Sequence, residues 1–424
     1  MRRVLVWCAV VAVLICSSSV QAKNLWRLTD INPGSAGSYP SYMTIYDGDI
    51  YFRANDEPSG NDVELWRYDG TDVTQVADIV PGPVGSSPAY LADGGAYLYF
   101  SATDPVSGTI KLFRSDGATT GLAPGWSGSL PQNMVLYNGV LVYNQAHFNT
   151  NTDLWKYDGA AQAGIYKVGG GNVLGPQGFA GFGGQLYFSA ASSGGGAELW
   201  RTNGTTAVQL TTILAPSGGS SPAHLTAYGD ALYFAAYDGV NGNELWRYVP
   251  STNTAELVAD IRPGGQYASG NPGEMVVYDG KLYFAADDGV HGSELWAWDG
   301  TTAVMVAEIN PTPDPGNGDT YLMDSNPHLF IVYEEKIYFI ANDGAHGNEV
   351  WSWDGTKAEL EWDIYPGQYS SEITEMIVFT DGVYVDADDG IHGRELWRMQ
   401  FPEPATMGLL ALGGLGVLVR RRRA

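Results

Sequence analysis

The chain has 424 residues, 44% hydrophobic, 12% aromatic and only 16% charged, with 55 Gly, 22 Pro and a formal charge of −25. So few charges among so many aromatics and glycines exclude a disordered chain or a coiled coil. The acidity excludes a nucleic-acid binder, because phosphates demand a basic surface; it suits divalent cations, basic partners or plain solubility.

Residues 1–22 read as a secretory signal. Arg2 and Arg3 form its basic start, Val4 to Cys16 its apolar core, and Val20-Gln21-Ala22 a small-x-small site with cleavage after Ala22. Cys16 follows Ile15, where a lipoprotein signal has a small residue. Both cysteines, Cys8 and Cys16, lie in this segment, so the mature chain must hold itself by packing, hydrogen bonds or metal rather than by disulfides.

Residues 23–400 repeat one unit eight times. An LYF-like phrase recurs at Tyr51, Tyr99, Val142, Tyr187, Tyr233, Tyr283, Tyr338 and Tyr384. An ELW-x-x-DG-T phrase centres on Trp66, Phe113, Trp155, Trp200, Trp246, Trp296, Trp351 and Trp397. A DI-x-PG phrase is anchored by Pro33, Pro81, Pro124, Pro176, Pro216, Pro263, Pro311 and Pro366. The period is about 46–48 residues. Within the sixth unit, strands are predicted at Glu274 to Tyr278, Leu282 to Ala286, Glu294 to Trp298 and Ala303 to Ala307, with Asp279-Gly280 and Asp299-Gly300 as hairpin turns. Four short antiparallel strands per unit make a propeller blade, so the predicted fold is all-β, a single eight-bladed β-propeller. The last unit stops after Trp397-Arg398 without a fourth strand, whereas Leu25 to Asp30 is a spare one. The N-terminal strand is therefore expected to close the last blade and remove the exposed sheet edges.

The ELWxxDGT phrase resembles a repeat family of secreted bacterial proteins known by that phrase. The resemblance implies a propeller-like domain and no specific activity. Units two, three and four depart from it: Lys111 and Asp153 replace the Glu, and Asn203 replaces the turn Asp.

Residues 401–424 are a different kind of segment. Pro402-Glu403-Pro404 precedes fifteen apolar residues, Ala405 to Val419, and then Arg420, Arg421, Arg422 and Arg423. The apolar run is short against the roughly 20 residues of a membrane span, and the arginines would stop at the cytoplasmic side. A transient membrane anchor follows. The segment also resembles a PEP-CTERM sorting tail, which implies cleavage near the PEP by an exosortase and delivery to the cell surface or extracellular matrix. With the signal removed and the tail cut after the PEP, about 16 Lys and Arg face 47 Asp and Glu.

Strand order places two acidic motifs on one face. D-G-x-x-G-x-E runs from Asp238 to Glu244, Asp288 to Glu294, Asp343 to Glu349 and Asp389 to Glu395. The acid of the DI-x-PG phrase is Asp30, Asp78, Asp260, Glu308 or Asp363. Carboxylates on Gly-enabled turns are oxygen ligands of the type Ca²⁺ accepts, which makes those eight motif residues candidate calcium ligands. Asp-Gly is also an ordinary tight turn whose carboxylate bonds backbone amides, and the dense D-x-D-x-D spacing of strong calcium loops is missing.

His291, His346 and His392 share one position in successive units, on separate loops, and read as exposed turn residues rather than a zinc site. The Trp row alternates inside the third strand and reads as core. Aromatics on the inter-unit loops, Tyr39, Trp126, Tyr267, Tyr321 and Tyr369, are the better sugar-stacking candidates, with Thr312 to Thr320 the longest insertion. No G-x-S-x-G, H-E-x-x-H, phosphate loop or Cys nucleophile occurs. Two acids at the right separation would serve glycoside hydrolysis, but every acid in view belongs to a repeat motif, and a catalytic residue should break the pattern. The expected function is a non-catalytic exported propeller that binds a polymer, protein or cation. The alternative is a polysaccharide hydrolase or lyase, or a carbohydrate-binding protein, marked by acids lining one pocket off the repeat.

Overall fold

The computed structural model describes residues 24–401 apart from 59–60, 129, 146–152, 215–217, 314–322 and 381. The signal segment, the sorting tail with Pro402 to Pro404 and Arg420 to Arg423, Tyr321 and most of the Thr312 to Thr320 insertion lie outside the described residues.

Every regular element among the described residues is a strand, and the strands form eight separate sheets. Blade one spans residues 41–77, blade two 89–122, blade three 131–164, blade four 174–209, blade five 223–259, blade six 275–307 and blade seven 328–362. Blade eight is built from residues 376–400 and from Asn24–Arg27 at the other end of the chain. In blade six the strands run Met275–Tyr278, Lys281–Asp287, Ser293–Trp298 and Ala303–Ala307, within a residue of expectation. Blade four gains a fifth strand, Tyr166–Lys167, which pairs in parallel with Thr206–Gln209. The first strand of each blade neighbours the first strand of the next, and that of blade eight returns to that of blade one. These strands therefore ring a central axis, as a propeller requires.

The core follows from the repeat. Leu-Tyr-Phe in the second strand and the Leu before the Trp in the third are buried, with the Trp buried or half-buried, because each sheet packs between two others. Eight apolar clusters result, one at each junction between blades. The Trp row and Phe113 belong to these clusters, and Trp200 is wholly buried. At the ring's joint, Phe52 and Tyr68 of blade one pack with Phe379, Tyr384 and Leu396 of blade eight.

A second feature recurs at the junctions. The Glu that opens the third strand is buried in six blades, at Glu64, Glu198, Glu244, Glu294, Glu349 and Glu395. Its carboxylate turns to the segment that crosses to the next blade and accepts its amides. Glu64 accepts from the N–H groups of Ile79, Val80 and Ser86, at 3.2, 3.1 and 2.7 Å, and from the Ser86 hydroxyl at 2.5 Å. Glu294 accepts from the Ile309 and Asn310 amides and from the Ser325 hydroxyl at 2.6 Å. A crossing chain over a blade face leaves backbone donors without sheet partners, and burying them unpaired is costly. One carboxylate answers several of them with charge-assisted bonds.

Glu395 repeats this device across the chain ends. It accepts from the Thr29 hydroxyl at 2.5 Å, the Ser38 amide at 3.0 Å and the Ser38 hydroxyl at 2.6 Å. Beside it, Asn24 to Arg27 pair antiparallel with Gln400 to Trp397, and the Leu28 amide donates to the Leu396 carbonyl at 2.8 Å. The ring is closed by strand pairing and by a buried carboxylate together. Glu395→Ala should therefore cost about 3 kcal/mol, since it leaves several buried donors unpaired. Exposed Glu57→Ala should change stability by no more than about 0.5 kcal/mol. Equal unfolding midpoints for the two variants in urea would show that Glu395 is not a closure element.

Candidate functional site

The repeat acids form bonds within the fold rather than one shared centre. Asp288 Oδ1 accepts from the Val290 and His291 amides, both at 2.9 Å, and its Oδ2 lies 2.7 Å from His291 Nδ1. Asp343 and Asp389 repeat the arrangement with His346 at 2.8 Å and His392 at 2.7 Å. In blade five Asn241 takes the place of His, donating to Asp238 Oδ2 at 2.7 Å. Each histidine is thus the partner of the Asp three residues before it, a pairing the D-G-x-H spelling carries and the reading as an exposed turn residue passes over. Glu244, Glu294, Glu349 and Glu395 face the crossing segments described above. Among the described residues no group of three or more His, Asp or Glu side chains stands together as a metal site.

The loop aromatics divide. Tyr39, Tyr267 and Tyr369 are exposed, Tyr267 almost fully at 92%. Trp126 turns inward against Tyr143 and Tyr157, with ring centroids 5.4 and 6.2 Å away, and its Nε1 donates to the Gly128 carbonyl at 3.0 Å. It is a packing residue of the crossing from blade two to blade three, where Lys111 stands in place of the Glu and an aromatic plug fills the junction.

A different set of residues breaks the repeat, and it lies on the ring of first strands. The residue two positions before the one that pairs with the LYF tyrosine (Val142 in blade three) is Tyr42, Tyr90, Asn133, Gly178, His224, Glu274, Leu329 or Glu375. In six blades the pairing slips here by a bulge, and Tyr42, Tyr90, Asn133, His224 and Leu329 adopt left-handed φ between 50° and 58°. Bulges re-aim side chains, and backbone strain of this sort collects at functional sites. No such slip occurs in the described pairing of blades six and eight.

On blades five to seven this ring opens into a cleft of about 450 Å³ lined by His224, Glu274, Asp287, Asp324, Asn326 and His328. Glu274 Oε2 accepts from the Leu329 amide at 3.0 Å, and Asp324 Oδ1 from the Ser293 amide at 2.7 Å. Asp287 is paired with Arg262. His328 Nδ1 lies 2.8 Å from the Asn326 carbonyl. Burial pushes the His224 imidazole below its ordinary range, against the pull of the Glu274 charge. Across the ring, the Arg53 guanidinium lies over Tyr42, and Tyr42 meets Tyr90 with centroids 5.3 Å apart. The expectation that every acid belongs to a repeat motif is therefore corrected. Glu274, Asp324, Glu375 and the buried Asp386 stand outside the motifs. The available signal was the varying residue at fixed distance before the LYF phrase.

The titratable groups of the repeat set a pH dependence. Burial pushes the carboxyls of Glu244, Glu294 and Glu349 up to about 7 and raises those of Glu64 and Glu395. The bonds to Asp288 and Asp343 raise His291 and His346. A raised carboxyl favours the fold fully below its unfolded value of 4.5 and loses that contribution as pH climbs toward 7. A raised imidazole loses its contribution as pH rises through its folded value, so both act in one direction; His224 alone of these opposes them. The melting temperature should be highest near about pH 5 and fall toward about pH 8, with a flatter decline in Glu294→Gln. A melting temperature that is constant or rising over that range would contradict the assignment.

Residues 402–423 match the PEP-CTERM protein-sorting motif. No curated protein matches the sequence. Among solved structures, the computationally designed Ika8 protein is similar with a TM-score of 0.50 at 13% identity, over 88% of this chain and 98% of that one. A puromycin hydrolase gives 0.46 at 14% identity, over 85% and 60% of the two chains. The β-propeller domain of the Trilobed protease from Pyrococcus furiosus gives 0.44 at 11%, over 76% and 97%. The likeness to Ika8 concerns the fold alone. No helix among the described residues is long and apolar enough to cross a membrane, and the apolar run of the tail falls outside them. With its matched tail, the chain is an exported protein carrying a membrane-anchoring sorting signal of the kind that exosortase-type enzymes process.

Proposed function

We propose that the protein is a non-catalytic binding propeller of the cell surface or extracellular matrix. Residues 1–22 are removed on export, residues 23–400 form the binding domain with repeats of the ELWxxDGT kind, and residues 401–424 anchor the chain in the membrane until an exosortase cuts near Pro402 to Pro404. The observation that carries this reading is the polar cleft on blades five to seven. It is lined by residues the repeat does not dictate, on a scaffold whose repeated acids are engaged in their own hydrogen bonds. Clefts on a rigid scaffold with a few convergent polar groups are where ligands settle. The ligand class is an extracellular polysaccharide, suited by hydrogen-bonding side chains of both characters, His224, Glu274, Asn326 and His328.

One observation favours the second reading, a polysaccharide hydrolase or lyase. Glu274, Asp287 and Asp324 share the cleft with two imidazoles, the set from which an acid and a base are drawn. A glycan array and a product assay on the purified full-length protein separate the two. Retention of a glycan without shortened or unsaturated products is expected, with retention lost in Glu274→Gln and His328→Ala at unchanged melting temperature. Released products that vanish in Glu274→Gln would establish the enzyme instead. No glycan retained and no product released would remove both readings.

Deletion of Pro402 to Ala424 should leave the propeller folded but move it from the membrane-associated fraction to the soluble exported one. Unchanged fractionation after that deletion would remove the anchoring role of the tail.

A further inference from the structure

At two junctions of the ring, a carboxylate from one blade seats on the backbone amides of the next. Glu375 of blade eight accepts from the Tyr42 amide at 2.7 Å and the Met43 amide at 2.6 Å, one to each oxygen. Glu274 of blade six accepts from the Leu329 amide at 3.0 Å. In both cases the acceptor holds the ring position of its blade, and the donor is the left-handed residue at the ring position of the following blade, with φ of 57° at Tyr42 and 55° at Leu329. Successive amides presented by a left-handed residue make a small anion-binding concavity. The protein itself thus shows, twice, what such a bulge receives.

Blade five presents the same bulge. His224 has φ of 58° and is followed by Leu225, within the register slip between Ala223 and Thr226. The preceding ring position, in blade four, is Gly178. A Cβ built there would meet no atom within 4 Å. Among the described residues no side chain accepts from the amides of His224 or Leu225. Gly178, Phe179, His224, Leu225, Glu274 and Phe330, from blades four to seven, line a cleft of about 350 Å³ that includes this junction.

We propose that this cleft receives the carboxylate of an acidic sugar, seated on the His224 and Leu225 amides as Glu375 is seated on those of Tyr42 and Met43. Phe179 and Phe330 give the C–H face of a pyranose ring an apolar bed beside the anion, which favours a uronic acid over an acidic peptide. The inference rests on the binding reading above and narrows its ligand to a carboxylate-bearing polysaccharide. Glycine at position 178 is what leaves the place vacant for a group from outside the chain.

The test compares a glucuronate oligomer with a neutral glucose oligomer of the same linkage, titrated into the purified full-length protein at fixed ionic strength. The acidic oligomer should bind at least about tenfold more tightly, the scale of one charge-assisted bond pair. Gly178→Glu supplies a carboxylate from within the chain and should abolish the preference, while Gly178→Ala leaves the cleft open and keeps it. Position 178 has φ of 62°, close to that of Tyr42 and His224, so the ring already holds side chains in this conformation. Equal affinity for the neutral oligomer, unchanged acidic binding in Gly178→Glu, or binding of an oligoglutamate peptide in place of glucuronate would each overturn the proposal. A neutral glycan that binds wild type and is lost in Glu274→Gln would keep the binding reading and remove only the carboxylate.

Discussion

The structure depends on one interaction repeated around the ring, the buried carboxylate that opens the third strand of a blade and holds the crossing to the next. A propeller must carry its chain over the end of every blade, and each crossing presents backbone donors that no sheet can accept. A Glu side chain reaches far enough to meet two or three of them and a serine hydroxyl as well. Desolvating a carboxylate is costly, and only a full complement of donors makes the arrangement hold. The chain supplies that complement with a buried serine at Ser38, Ser86, Ser220, Ser325 and Ser371. The described chain has no cysteine, so this interaction and strand pairing close the ring without a covalent link.

Where the Glu is missing, the crossing is held by other means. Blade three has Asp153, which is shorter and accepts from the Gly175 amide at 3.0 Å on the crossing to blade four. Blade two has Lys111, which turns to Asp104 at 2.7 Å, while Ala123 donates to the Leu112 carbonyl. Sequence departures in the repeat are thus local substitutions of one solution to the same constraint by another, and they do not mark a site.

The blade count, the closing strand and the strand boundaries of blade six were legible because they rest on local periodicity and turn chemistry. The roles of the acids were not. Glu64 and Ser86 lie 22 residues apart, and Glu395 and Ser38 lie 357 apart, so their bond belongs to the ring and not to any local pattern. The Asp and His three residues apart were within reach of a local reading, yet a conserved-looking turn hides the pairing until the geometry is seen. The ring position was hardest to see. Its residues are unlike one another, and the bulge that aims five of them depends on left-handed backbone that Tyr42, His224 and Leu329 do not announce.

Two hydrogen-bonding systems therefore coexist in each blade, and they use different strands. The closure system joins the third strand to the crossing; the ring position lies on the first strand, at the axis. A residue such as His224 or Tyr90 can change without disturbing a crossing, which leaves the ring free to vary while the scaffold stays fixed. Glu274 and Glu375 are the exceptions, since their carboxylates also hold the neighbouring blade's amides. At those two junctions the ring position also serves structure, Glu375 through both carboxylate oxygens and Glu274 through Oε2, whereas at the junction of blades four and five Gly178 brings no side chain to the His224 and Leu225 amides. Recognition falls by this division to the ring of first strands rather than to the crossings.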